Sequence, residues 1–244
     1  MELTQHKQEM EANKLAWLQK ENLRKEYKGF YKLLLSELAG VKKTILEIGS
    51  GMGNIKTVIP QCATSERIPN PNIDRLESAY KINADNESIG ALIYFDVWHH
   101  LEYPGQALQE AHRVLEPGGR VLLMEPAMSP LGTLIYGLFH HEPLGWKHRF
   151  NTDPVGEPEN EDYFAAQASA WRLFVNKEYP QLLAPWNIRK IKKITALAYA
   201  ASGGFSKPQL YPDWAYPHIK TLETLLPASL CATRLMVVLE KQSS

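Results

Sequence analysis

The chain has 244 residues, 44% hydrophobic and 22% charged, which suits one sizeable α/β core with an elaboration and is short for two full domains. Lys+Arg and Asp+Glu balance at 27 each, so the broad basic footprint of a nucleic-acid-binding protein is absent and no nucleic acid partner is expected. Two cysteines, Cys62 and Cys231, stand far apart in no ligand spacing; no metal is expected, and a reducing, cytoplasmic setting is the default.

The charged amino terminus does not read as a signal peptide, and the most apolar stretch, 127–139, is too short to span a bilayer. Residues 4 to about 39 are predicted helical in two pieces, with Gly29 as the break and Gly40 as the stop. Leu15, Leu18, Tyr27, Phe30, Tyr31, Leu34 and Leu35 form an apolar stripe at helical spacing, suited to a lid or to a homodimer contact. A strand follows at Thr44–Ile48, then a glycine loop, a short helix ended by Pro60, and a second strand ending at Glu66. Ala91 to Phe95 reads as a buried strand, Pro104 to Leu115 as an amphipathic helix, 116–119 as a turn, and Arg120 to Met124 as another strand. Residues 127 to about 187 lack strand periodicity and are rich in aromatics, prolines and histidines. Ile188 to Ala198 is a candidate strand, Pro208 to Pro217 an aromatic loop, Ile219 to Leu226 a short helix, and Arg234 to Glu240 a final strand. Alternating strands and helices predict a doubly wound, Rossmann-like α/β fold with a mostly parallel sheet. Four regions are expected: an N-terminal helical cap (1–39), a cofactor-binding core (40–126), a lid insertion (127–187) and strands completing the core (188–244).

The most telling segment is Ile45 to Asn54. A buried strand carries Glu47 near its end and opens into Gly49, Gly51 and Gly53, which lets backbone approach a nucleotide-like ligand. A dinucleotide fingerprint would place its third glycine at position 54, where Asn54 stands. The pattern acid-x-Gly-x-Gly-x-Gly, then Phe95-Asp96-Val97-Trp98-His99-His100-Leu101, then Arg113-Val114-Leu115-Glu116-Pro117-Gly118-Gly119, resembles the class I S-adenosylmethionine-dependent methyltransferases, small-molecule type. The three pieces occur in order over roughly residues 44 to 126.

The resemblance implies a seven-stranded sheet with an antiparallel last strand and S-adenosylmethionine as cofactor. It implies that Gly49, Ser50, Gly51 and Gly53 form the loop along the methionine half, with Glu47 organising that loop or receiving the ammonium. Glu66 is then the acceptor of the ribose hydroxyls, where a charge-assisted bond contributes roughly 1.5–3 kcal/mol. Arg67 reads as surface. Relatives of this family carry Asp-Ala after the third strand, facing adenine; the matching pair here is Ser78-Ala79, a weaker acceptor, and the span from Gly53 to Ala91 is compressed.

Asp96, His99 and His100 follow the fourth strand, where the carboxyl edge of an open sheet faces the ligand crevice. Asp96 with His100 reproduces an Asp-x-x-x-His arrangement of some small-molecule N-methyltransferases, with Tyr27 and Tyr31 available from the N-terminal helix. A base is needed only where the acceptor is protonated, and His-His-Leu starting a helix against the cofactor is the plainer alternative. Glu125 closes the fifth strand beside the acceptor pocket, while His140, His141, Glu142 and His148 lie in the insertion. Trp17, Trp146, Trp171, Trp186, Tyr163 and Phe164 are candidates for an aromatic acceptor pocket or for lid core. No Asn/Asp-Pro-Pro-Tyr/Trp and no Pro-Cys follows the fourth strand, which disfavours adenine- or amide-nitrogen and cytosine-carbon methylation and points to a small-molecule acceptor, with a glycan or lipid-linked precursor as one class. Two other readings stay open: a methyltransferase-fold binding or scaffolding protein, and a nicotinamide-dependent oxidoreductase.

Overall fold

The computed structural model describes residues 3–150 and 164–242. Seven strands form one sheet: β1 (Thr44–Ile48), β2 (Ala63–Glu66), β3 (Arg75–Leu76), β4 (Ile89–Phe95), β5 (Leu115–Pro126), β6 (Trp186–Ile194) and β7 (Arg234–Lys241), in the order β3-β2-β1-β4-β5-β7-β6. β1 to β5 pair in parallel, and β7 runs antiparallel to both β5 and β6. The order reverses between β1 and β4, so their carboxyl ends open the crevice in which ligands of such sheets bind.

Every residue of β4 is buried, because the sheet is covered on both faces. Leu92 and Tyr94 point into one cluster with α3 (Pro104–Val114) and the insertion; Ala91, Ile93 and Phe95 point into another with α2 (Glu21–Ser36). The insertion after β5 holds α4 (Pro130–Phe139), a single π-helical turn (Trp171–Val175) and α5 (Pro180–Leu183); α6 (Leu197–Ala201), α7 (Tyr216–Leu225) and α8 (Ala228–Cys231) link β6 to β7.

The N-terminal helices break at Lys20, between α1 (Leu3–Gln19) and α2, and run unbroken through Gly29. Lys20 is extended, and its Nζ donates to the carbonyls of Ser202 (3.3 Å), Gly204 (2.6 Å) and Lys207, while Arg24 Nη1 bonds the last carbonyls of α1 at Trp17 and Leu18. The break resets the helical phase. Tyr27, Phe30, Tyr31 and Leu34 are core, whereas Leu15 and Leu18 are exposed. The turn at 116–119 is absorbed into β5 as an irregularity between the Ile89–Leu115 and Ala91–Arg120 pairings. β3 is only two residues long, and no helix separates β2 from β3 or β3 from β4 among the described residues, which is the compression visible in the sequence.

Candidate active site

At the end of β1 the chain turns sharply, with Gly49, Gly51 and Gly53 all at positive φ. A Cβ on Gly53 would lie 2.6 Å from the Asn72 carbonyl oxygen, and one on Gly49 would lie 2.4 Å from Val97, so the loop is wedged between the β2–β3 connection and the turn after β4. A Cβ on Gly51 would meet nothing within 4 Å, so this backbone faces open space. Ser50 anchors the loop to β2: its N–H donates to the Ser65 carbonyl (2.8 Å) and its Oγ accepts the Ser65 N–H (3.0 Å).

Two carboxylates flank this loop. Glu47 is buried, with Oε2 lacking any partner among the described residues. Burial pushes its carboxyl up to about 8; Ser50 opposes the shift and the Glu66 charge adds to it. Glu66, at the end of β2, accepts the Gly51 N–H (2.9 Å) and the Arg67 N–H (3.1 Å), which fixes its carboxylate against the loop. Arg67 is exposed, as expected. Ser78 follows β3, and its Oγ accepts the Tyr80 N–H (3.2 Å); the Ala79 side chain is buried in the core.

After β4, Asp96 adopts a left-handed backbone conformation, φ 55°. It pairs with Arg234 at 2.6 Å. The Arg234 guanidinium is buried, donates to the Met124 carbonyl (3.2 Å) and lies 5.0–5.5 Å from the ring centroids of Tyr199, Phe95 and Phe30. Tyr27 stacks on Phe95 at 5.0 Å in the same aromatic box, and Tyr31 also packs on Phe95 at 5.0 Å. Trp17 meets Tyr27 edge-on. Arg234 is the site residue that sequence reasoning missed. Its only trace is a charge leading an otherwise apolar final strand, 138 residues from its partner.

A single helical turn at Trp98–His100 follows. Glu125, at the end of β5, caps it by accepting the N–H groups of Val97 (2.9 Å) and Trp98 (2.8 Å). It also accepts the Nδ1–H of His99 at 2.6 Å. Burial alone would raise the Glu125 carboxyl; the His99 imidazole and these N–H donors hold it below the usual range. Burial lowers the His99 pKa, but Glu125 more than reverses that and carries it above the ordinary value. His100 donates Nδ1–H to the Phe164 carbonyl (3.0 Å); burial and then His99 push its pKa down to about 4. Both histidines turn their Nε2 toward Glu142 of the insertion.

The insertion is hydrogen-bonded onto this turn by the Ala166 N–H, which donates to the His99 carbonyl at 2.8 Å, while the Ala168 N–H donates to the Leu144 carbonyl within the insertion at 2.8 Å. Of the aromatic candidates, Trp171 and Trp186 are core, Trp146 is partly exposed, and Tyr163 lies outside the described residues. His148 packs on Phe150 and Phe164, apart from Glu142. A hollow of about 450 Å³ between α2 and the start of β1 lies away from all these groups, lined by Leu35, Leu38 and Val41.

A doubly wound sheet in this order, with a glycine loop after β1 and an acid after β2, defines an α/β enzyme that binds a nucleoside-type cofactor at its switch point. Residues 46–123 match the family model described as a methyltransferase domain. That match spans β1 to β5 and agrees with the resemblance to the class I S-adenosylmethionine-dependent methyltransferases read from the sequence motifs. A search of curated protein sequences finds no match. Among solved structures it is similar to the YcgJ protein of Bacillus subtilis at 14% identity and a TM-score of 0.50, covering 88% of this chain and 98% of that one. It is similar to a geranyl diphosphate methyltransferase in complex with S-adenosylmethionine at 12% identity and a TM-score of 0.53, covering 88% and 85%. A Thermotoga maritima methyltransferase, described as a possible histamine N-methyltransferase, matches at 12% identity and a TM-score of 0.51, covering 98% and 96%. These likenesses establish the fold. The residues present fit S-adenosylmethionine: Glu47 keeps one buried oxygen without a partner among the described residues, and the Gly51 backbone is open to a ligand.

Proposed function

We propose that this chain is a cytoplasmic methyltransferase of a small molecule bound beyond the carboxyl ends of β4 and β5. The cofactor, when bound, supplies an electrophilic methyl group on a sulfonium. Glu47, Gly49, Ser50, Gly51, Gly53, Glu66, Ser78, Ala79 and Asp96 would hold it: Glu47 as counter-charge to the ammonium, Glu66 as acceptor from the ribose, and the Ser78–Ala79 turn beside the adenine. Asp96, His99 and His100 would face the acceptor, with His99 held by Glu125 and the Asp96 carboxylate steadied by Arg234. Positioning supplies much of the rate of such a transfer, and an imidazole removes the proton where the acceptor is a hydroxyl or ammonium.

The observation that carries a small acceptor is the roof over the site: the insertion is bonded directly onto the His99–His100 turn. A glycan or lipid-linked precursor is the acceptor class we favour. Leu134, Leu138 and Phe139 of α4 are exposed immediately before His140, and Trp146 is partly exposed beyond it, which suits an apolar or sugar-bearing ligand. No helix among the described residues is long and apolar enough to cross a membrane.

Calorimetry with S-adenosylmethionine and S-adenosylhomocysteine, followed by transfer of labelled methyl to a panel of sugar nucleotides and polyprenyl-linked glycans, tests the reading. Absence of binding at millimolar cofactor would overturn it. A second reading, a methyltransferase-fold binding protein without catalysis, is favoured by one observation: the Ser78 hydroxyl is engaged within its own turn. That reading expects cofactor binding with no transfer to any acceptor.

A further inference from the structure

Besides the place proposed for them beside the acceptor, the tandem histidines after β4 form a cluster with a carboxylate from the insertion. His99 Nε2 lies 3.6 Å from Glu142 Oε2, and His100 Nε2 lies 3.8 Å from Glu142 Oε1. One ligand atom from each residue falls within 4.8 Å of the others. In both imidazoles Nδ1 is taken, by the Glu125 carboxylate at 2.6 Å and by the Phe164 carbonyl at 3.0 Å. Glu125 is a full acceptor here, already bonded by backbone N–H groups, so the proton between it and His99 resides on Nδ1. A carbonyl likewise accepts the His100 proton. With Nδ1 engaged in each ring, both Nε2 atoms are turned toward the same carboxylate.

We propose that His99 Nε2, His100 Nε2 and the Glu142 carboxylate bind one divalent transition-metal ion, zinc by ligand chemistry. Two imidazoles and one carboxylate make the donor set of open zinc and related first-row sites, whereas magnesium and calcium prefer all-oxygen cages. Metal-bound histidines almost always donate their second N–H to a carboxylate or carbonyl, and both histidines here do so before any ion arrives. His99 and Glu142 are buried, which limits competition from bulk water. The Gln167 amide donates to Glu142 Oε2 and orients it from the opposite side. Outside the triad, His140 Nδ1 stands 3.6 Å and His141 Nε2 3.9 Å from the same carboxylate, with His141 exposed. The ion would clamp the insertion onto the end of β4. This departs from the expectation of no metal, which rested on cysteine spacing; Glu142 lies more than forty positions from the two histidines and meets them only in the fold.

The test uses the full, tag-free chain, stripped with chelator and titrated with Zn²⁺ by calorimetry and with Co²⁺ by visible absorption, without cofactor or acceptor. The expected result is one ion per chain and cobalt d–d bands of low coordination number. His100→Ala and Glu142→Gln should each weaken Zn²⁺ binding by more than the roughly 10–100-fold typical of losing an outer-shell partner. A His140→Ala/His141→Ala double variant should bind nearly as the wild type does. Circular dichroism checks the fold, and the isosteric Glu142→Gln decides if His100→Ala does not fold. The proposal is overturned if the wild type binds no stoichiometric ion. It is equally overturned if binding survives Glu142→Gln and is lost in the double variant, which would put the ion on the exposed pair. Because binding is read directly, failure of methyl transfer would not touch it.

Discussion

Glu47→Gln separates the cost of the buried carboxylate from its use. Burial raises the Glu47 carboxyl from 4.5 to about 8, so the folded chain holds a proton that the unfolded chain releases between those two values. The sign follows from linkage. The contribution to stability is fully present below pH 4.5, is lost as the pH climbs toward 8, and is absent above it. At about 1.4 kcal/mol per pH unit, this one group makes the wild type roughly 3–5 kcal/mol less stable to unfolding above pH 8 than below pH 4.5. Glutamine keeps the shape and removes the titration. Urea unfolding of both proteins from pH 4.5 to 9 should show Glu47→Gln gaining on the wild type by about that amount. The same variant should bind S-adenosylmethionine about 10–100-fold more weakly, having lost a charge-assisted contact of roughly 1.5–3 kcal/mol. A stability difference flat across that pH range would refute the assignment of a strained, neutral carboxyl at the end of β1.

Asp96→Asn leaves the buried Arg234 without its counter-charge and should cost on the order of 3–5 kcal/mol in urea unfolding, with part of the loss recovered in Asp96→Asn/Arg234→Met. Gly53→Ala should lower stability more than Gly51→Ala, because only the former drives a methyl into the Asn72 carbonyl; thermal unfolding ranks them, while Gly51→Ala should act chiefly on cofactor affinity. Glu66→Ala removes both the Gly51 contact and the proposed ribose acceptor, and calorimetry should show cofactor affinity falling at least about tenfold. Deleting residues 1–19 should leave a folded chain, whereas deletion through residue 39 should abolish folding by circular dichroism, because α2 buries Leu23, Tyr27, Phe30, Tyr31 and Leu34 in the core.

Much of this protein is written locally. The strand–glycine–strand order, Glu47, Glu66 at the end of β2 and Asp96 at the end of β4 each sit in a short local pattern, so periodicity marks the doubly wound sheet, and the resemblance those motifs carry points to the methyl donor. Apolar runs likewise mark β1, β4 and β7, and an apolar stripe at helical spacing marks α3, since a buried strand or an amphipathic helix declares itself in its own side chains. What the tertiary structure decided is where distant charges meet. The break at Lys20 depends on carbonyls near residue 204, and the pairing of Asp96 with Arg234 depends on the antiparallel register of β7 against β5. The approach of Glu142 to His99 and His100 depends on how the insertion docks. Contacts of this kind span tens to hundreds of positions, and nothing in the local pattern of either partner encodes the other. The amino-acid order, through its motifs, pointed to the fold and the donor; the packing of β7 and of the insertion decided which distant side chains meet at the ends of β4 and β5.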